Sequence, residues 1–411
     1  MGKDSTKNLV GQPIFKQIVK ILPREKFDLL VAQQKSDRYY KTFFSWEQLI
    51  TLLFGIFSRC DSMGEVCDGM RALEGKLNYF GMDASPAKST AGDALRDRNN
   101  ELFKLYYFAL IAHFSPLLSV SRKKDVSFEQ FYVFDSTTVR LFSDIMKGVG
   151  RNPKDEGKKK GGLKVHMLTG VHADTAVYAT ISEAKMHDRK FLDKLDFLQK
   201  GSMIVFDRAY NYYRRFARWT QEGINFVCRL KSGAKYDVQE VLFEKKQGKD
   251  EFGVYKVEHI HLQYKGDNRK IERFCLRLVY YKDEKGRKYR FITNNWEITD
   301  EEVALTYKYR WTIELMFKKL KQNFQLHFFY SDTENGIKTQ VWCTLIAHLL
   351  LTVVKQLSNS EKAFSTIAAL VRIHLIAHLD LTWVVTEGRR AYVKRHKVKS
   401  RGPTAIQLSI F

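Results

Sequence analysis

Three carboxylates are the residues in this sequence whose types and spacing suit catalysis. Asp135 closes the β-rich run FYVFD (131–135), Asp207 closes SMIVFD (202–207), and Glu314 is the one acid in the basic, helix-periodic stretch YKYRWTIELMFKKLKQNF (307–324). A single aspartate after a buried strand often caps the next element. Two at the same edge of one α/β sheet lie where such sheets bind ligands. Side by side, two ionised carboxylates repel, so they require a cation between them or a shared proton. Hard oxygen donors that work beside phosphates suit Mg²⁺. On one α-helix, steps of three, four and seven put Tyr307, Arg310, Glu314 and Lys321 along a single stripe. Trp311, Leu315, Phe317, Leu320 and Phe324 then supply the apolar surface for packing. The plainer alternative is an Arg310–Glu314 ion pair, with Tyr307 in the core and Lys321 in solvent. An acid flanked by cations also suits phosphoryl transfer, in which two metals about 3.5–4 Å apart serve the attacking and leaving oxygens while the cations hold phosphates.

The elements that must position these residues follow from periodicity. Residues 13 to about 120 read as helical in PIFKQIVKIL, WEQLITLLFGIF and LFKLYYFALIAHF. Within them, SPAKSTAGDALRDRNNELF (85–103) holds a polar, basic helix suited to a DNA groove or equally to a solvated surface. From residue 128 short β-rich runs begin. KVHMLTGVHA and AVYATISEA form a hairpin between the two acidic runs, and helices are expected at about 188–199 and 211–222. After INFVCRLK, four runs without helices (VQEVLFEK, VYKVEHIHLQY, FCLRLVYYK, KYRFITN) predict an inserted antiparallel sheet. The insertion ends at TDEE (299–302), where Thr299 and Glu302 form a capping box that opens the helix carrying Glu314. The expected division is 1–122 (helical, DNA-binding), 123–231 (first part of an α/β core), 232–298 (β insertion), 299–385 (helical second part of the core) and 386–411 (basic tail).

At this point the residues resemble a known family. Tyr307-x-x-Arg310-x-x-x-Glu314-x-x-x-x-x-x-Lys321, with VFDSTTV around Asp135 and VFDRAYNYYRRF around Asp207, is similar to the signature of the DDE transposases of the insertion-sequence-four family. The resemblance implies an RNase H-like core interrupted by an antiparallel β insertion, with an all-helical N-terminal domain. Asp135, Asp207 and Glu314 would be the catalytic triad and hold two Mg²⁺ ions, for which Mn²⁺ can substitute. The implied reaction cuts double-stranded DNA at terminal inverted repeats and joins the freed 3′-hydroxyls to target DNA, often through a hairpin, within a homodimeric synaptic complex in a bacterial cytoplasm at the nucleoid. Tyr307, Arg310 and Lys321 would contact DNA, with Arg208 and Tyr210 of the second acidic block beside them. Ala209 stands where many relatives have glycine after Asp-Arg, a change of consequence only if the backbone there has positive φ.

Other features bear on partners. The chain of 411 residues carries a net charge of +23, with 44% apolar residues, 29 Phe and 20 Tyr. That composition excludes disorder for most of the chain and favours a polyanionic partner. The longest apolar runs, LITLLFGIF and CTLIAHLLLTVV, are shorter than the roughly 20 residues of a membrane span and read as buried helices, so no membrane partner is expected. MKGVGRNPKDEGKKKGGLKVH (146–166) places Lys158, Lys159, Lys160 and Lys164 next to the first acidic run, for DNA contact or as a solvated loop; it lacks the order of a Walker loop. The tail GRRAYVKRHKVKSRG (388–402) suits phosphate contact. Trp296 either stacks on an unpaired base or packs at the base of the inserted sheet. His166 and His187 have no partner at metal spacing and read as core or surface residues. The five cysteines, 60, 67, 228, 275 and 343, are odd in number and show no C-x-x-C pairing, so they read as ordinary buried thiols in a reducing cytoplasm and no zinc site is expected. The N-terminus has no secretory pattern, which suits the cytoplasm. Two further readings remain: a metal-dependent nuclease that cleaves without joining, and a DNA-binding protein whose acids are structural.

Overall fold

In the computed structural model the described residues are 11–386, apart from 120–127, 129, 141–161, 172–174, 184–187, 247, 249–250, 267–268, 325 and 327. Helices α1 (Ile14–Val19), α2 (Arg24–Gln34), α3 (Ser45–Ser58), α4 (Met63–Arg71), α5 (Lys88–Asp97) and α6 (Glu101–Ser119) come first. Strands β1 (Phe131–Arg140), β2 (Gly162–Gly170), β3 (Ala176–Glu183) and β4 (Met203–Phe206) follow, then α7 (Tyr213–Glu222) and β5 (Asn225–Arg229). The insertion contributes β6 (Tyr236–Glu244), β7 (Gly253–Lys265), β8 (Ile271–Lys282) and β9 (Lys288–Thr293). The chain continues through α8 (Asp300–Lys308), α9 (Arg310–Phe324), α10 (Glu334–Leu357), α11 (Phe364–Ile373) and α12 (Leu381–Thr386).

All nine strands form one sheet in the order β3-β2-β1-β4-β5-β9-β8-β7-β6. β1, β2 and β3 make an antiparallel meander, β4 runs parallel to β1, and β5 runs parallel to β4. The inserted strands pair antiparallel as expected, and they also continue this sheet, because β9 pairs antiparallel with β5 through Val227↔Thr293, Cys228↔Ile292 and Arg229↔Phe291. The join covers what would otherwise be a row of unpaired backbone groups along β5.

Two expected helices differ. The 188–199 segment is a 3₁₀ turn over Asp188–Lys194. Phe191 and Leu192 within the turn, and Leu195 and Leu198 just beyond it, are buried. Residues 307–324 are not one helix either. The capping box is formed, with Thr299 accepting from Glu302 N and Glu302 accepting from Thr299 N, but the helix it opens ends at Lys308. At the break, Tyr309 O accepts both the N–H and the hydroxyl of Thr312, at 2.9 and 2.7 Å, a local side-chain bond that competes with the helix ladder. Tyr307 and Glu314 therefore ride on different helices.

Packing ties the layers together. Phe134, Phe206, Phe216, Trp219 and Phe226 form an apolar layer between the sheet and α7, while Val205, Val257, Val279 and Phe291 meet Val303, Ala304 and Tyr307 of α8. The N-terminal helices share one apolar core with α9 and α10 rather than building their own. Helix α10 is long and apolar enough by length and composition to cross a membrane, although the run CTLIAHLLLTVV within it is shorter. It is buried from Gly336 to Val354 almost throughout, as a core helix is.

Candidate active site

The parallel pairing of β1, β4 and β5 brings chemistry to one edge. β1 pairs with β4 up to Phe134↔Phe206, and β4 with β5 up to Phe206↔Cys228. One step further along each strand stand Asp135, Asp207 and Arg229. Asp135 was expected to end its strand; it does so only on the β4 side, because β1 runs on to Arg140 against β2, with Asp135 opposite Met167. Asp207 directly follows β4 and caps the short 3₁₀ turn Arg208–Tyr210, accepting from Ala209 N at 3.0 Å. Ala209 is not among the described residues with positive φ, so the backbone makes no demand for glycine there.

Helix α9 lies against β1 and supplies Glu314. Arg310, at the first turn of α9, donates from Nη1 to Glu314 Oε1, and the same nitrogen is 3.8 Å from Asp135 Oδ2. The ion-pair alternative and the acid cluster are thus the same arrangement: one guanidinium lies between two carboxylates. Asp135 also accepts from Ser136 N at 2.8 Å. Burial, with the carboxylates of Asp207 and Glu314 adding to it, pushes the Asp135 carboxyl up to about 6 against the pull of Ser136 N–H and Arg310. Asp135, Glu314, Lys318, Lys321 and Gln322 line a cleft of about 510 Å³. Asp207 is not part of that cleft lining; it meets the cluster from the neighbouring strand.

Several DNA-contact expectations change. Tyr307 is buried, its ring tilted by 37° against Phe291 with centroids 4.8 Å apart, and its hydroxyl is 3.4 Å from Asp207 Oδ2. Burial, and then the nearby Asp207 charge against Arg310, push that hydroxyl well up, so it stays a donor to Asp207. Tyr307 therefore orients an acid from the core and has little surface to offer DNA. Tyr210 is also buried, edge-on to Phe134 at 5.0 Å, since the turn after Asp207 folds it inward. Arg208 and Lys321 are exposed, and Lys164 is half-buried on β2 opposite Thr138, three positions along from Asp135. Trp296 is 47% exposed and meets His259 edge-on at 5.3 Å, so it packs at the inserted strands while leaving a face open. His166 is a core residue, stacked on Phe191 and 3.1 Å from Ser182 Oγ, with burial pushing it down to about 3. Lys158, Lys159, Lys160, His187 and the basic tail lie outside the described residues.

Of the residues expected to pack, Phe317, Leu320 and Phe324 are buried, joined by Ile313 and Met316, whereas Trp311 and Leu315 are 58% and 56% exposed. Sequence reading missed Arg229 and Lys318. Arg229 carried the same signal as the acids, a charge immediately after a β-rich run, and Lys318 lies four residues beyond Glu314.

Residues 126–350, more than half of the chain, match the family model of the transposase DDE domain. The chain belongs to that family. Residues 10–83 match a second family, described as a domain of unknown function. Among similar proteins, "Putative transposase y4zB" of Sinorhizobium fredii is 26% identical over 206 residues, which is 50% of this chain and 57% of that protein. "Putative transposase for insertion sequence element IS4SA" of Synechocystis is 24% identical over 292 residues, 69% of this chain and 75% of that protein. The DDE-domain match runs from before β1 into α10, so it takes in Asp135, Asp207 and Glu314 together with the inserted strands.

Proposed function

We propose that this chain is a transposase of the insertion-sequence-four type, which cuts the ends of an insertion sequence and joins the freed 3′-hydroxyls to new DNA. The observation that carries the reading is the convergence of Asp135 and Asp207, side by side past the last paired residues of two parallel strands, with Glu314 on the helix packed against the first of them. The 3-2-1-4-5 order of the first five strands, three antiparallel and two parallel, supports an RNase H-like core. Names of relatives that refer to transposases and an insertion sequence agree with it.

The donor set fits divalent cations. Three carboxylates supply hard oxygens, and against them stands one guanidinium; burial first, and then the carboxylates of Asp207 and Glu314, raise the Asp135 carboxyl. Asp135, Asp207 and Glu314 would hold two Mg²⁺ ions, with Mn²⁺ as a substitute. When bound, such a pair activates the attacking oxygen and stabilises the leaving one. The chain's own residues prepare this. Tyr307 fixes one oxygen of Asp207, Ala209 N–H holds the other, and Arg310 fixes Glu314. Lys318 and Lys321, on the same side of α9, are placed for phosphates entering the cleft. A hairpin route and a homodimeric synaptic complex at the nucleoid belong to the same reading. Arg208, Lys164 and the open face of Trp296 are its further DNA contacts.

The test is cleavage and strand transfer on DNA carrying the element's own ends, with Glu314→Gln beside the wild type. The variant should lose cleavage while duplex affinity stays within a few-fold. Wild-type cleavage by the variant would remove the assignment, and cleavage without any joined product would reduce the protein to a nuclease.

A further inference from the structure

The inserted strands hold a second group of metal-binding side chains, distant in kind from the carboxylates. His259 and His261 alternate on β7, and Cys275 on β8 lies directly opposite His261. Alternating residues of one strand share a face, and so do cross-strand partners. All three side chains therefore project from the same face of the sheet. Their ligand atoms lie within 4.8 Å of one another, and His261 Nε2 is 3.0 Å from Cys275 Sγ. Around a tetrahedral zinc ion, nitrogen and sulfur donors sit about 3.3–3.6 Å apart. Small side-chain rotations close the difference.

Two more observations point to a ligand there. His259 Nε2 is buried and has no hydrogen-bond partner among the described residues, an unusual state for a ring nitrogen. The neighbouring charges are also already engaged. Arg277, the cross-strand partner of His259, is turned away to Asp300 and to Ile298 O. Asp237, opposite His261 on β6, accepts from Gln263 and pairs with Arg273. Neither cation is directed at the three donors. Cys275 is exposed, which gives an ion a route in from solvent.

We propose that His259, His261 and Cys275 bind one zinc ion, with a water completing the fourth position on the open side. Two imidazoles and a thiolate suit a borderline-soft cation and not Mg²⁺, so this site and the carboxylate cluster select different metals. On binding, the sulfur–zinc bond replaces the sulfur–hydrogen bond of Cys275 and the thiol proton leaves to solvent. The ion would staple β7 to β8 and fix His259, the ring against which Trp296 rests edge-on. The expectation of buried thiols holds for Cys67, Cys228 and Cys343 but not for the exposed Cys275, whose histidine neighbours come through strand register and not through a local C-x-x-C spacing.

The experiment uses the full chain without an affinity tag, dialysed against Zn²⁺ and then against metal-free buffer, with metal content measured by mass spectrometry. One zinc per chain is expected. Replacement by Co²⁺ should give a thiolate-to-cobalt charge-transfer band. Cys275→Ala should abolish that band and weaken zinc binding by more than about 100-fold, beyond the loss expected from an outer-sphere change. His261→Gln should weaken binding comparably, while Cys60→Ala and Glu314→Gln should keep full zinc content. Should Cys275→Ala fail to fold, Cys275→Ser with the same cobalt spectrum decides. Absence of retained zinc in the wild type, or zinc content and a cobalt band unchanged in both Cys275→Ala and His261→Gln, would overturn the proposal.

Discussion

Two regions of the nine-stranded sheet gather their polar groups in opposite ways. In the central β1–β4–β5 region, parallel strands deliver one charged residue each to a shared edge, and a helix from far along the chain completes the group. In the β7–β8 region, antiparallel pairing sets His261 against Cys275 in the middle of two strands, with no helix contributing a ligand. The first region collects oxygen donors with excess negative charge around one guanidinium; the second collects nitrogen and sulfur with little charge. The lesson is that strand direction decides where ligands meet. Parallel strands bring together residues at their carboxyl ends, whereas antiparallel strands bring together whatever the register places side by side.

The largest effects should come from the carboxylates. Asp135→Asn, Asp207→Asn and Glu314→Gln should each lower DNA cleavage by at least about 1000-fold, as expected when a ligand of a catalytic metal is lost, with zinc content unaltered. A cleavage loss accompanied by zinc loss would mean that the two regions are not independent. Removing zinc with a selective chelator should leave nicking by the carboxylate cluster within a few-fold of wild type, as measured in Mg²⁺ after the chelator is removed. Abolished nicking would instead join the two sites.

A smaller effect should follow from pH. The Asp135 carboxyl is raised to about 6 by burial and by its acidic neighbours, so its ionised form is less favourable in the folded protein than in the unfolded chain. That penalty is absent below about pH 4, grows as pH rises through the folded value, and is complete above it. Without divalent cations, Asp135→Asn should therefore stabilise the fold at pH 8 by about 1–3 kcal/mol and leave it unchanged at pH 4, as read by thermal melting. A destabilised variant at pH 8 would show that Arg310 already neutralises Asp135. Tyr307→Phe should cost about 0.5–1.5 kcal/mol, the net worth of one hydrogen bond, and slow cleavage modestly. Least of all, Trp311→Ser should shift stability by no more than about 0.5 kcal/mol, since its ring is exposed.

How much of this the sequence disclosed follows the same division. Asp135, Asp207 and Glu314 were legible because two β-rich runs stop at a charge and a capping box announces the helical region that follows. The break at Tyr309 was not, since no local pattern marks it, and Tyr307, expected on a DNA-facing stripe, is a buried support for Asp207. The merging of the inserted strands into the core sheet was hidden too, because no local pattern says which edge β9 will join. The His259–His261–Cys275 group was invisible for the same reason: its ligands become neighbours only when register is known.

The most direct test of the central account is Mn²⁺ binding to the full chain, followed by electron paramagnetic resonance, with single substitutions of each acid. Asp207 is the deciding residue, since it does not line the cleft that Asp135 and Glu314 share. The account predicts that Asp207→Asn weakens Mn²⁺ binding by at least about tenfold, as loss of a direct ligand should, and that Asp135→Asn and Glu314→Gln do the same. Mn²⁺ affinity unchanged by Asp207→Asn would contradict a single three-carboxylate site.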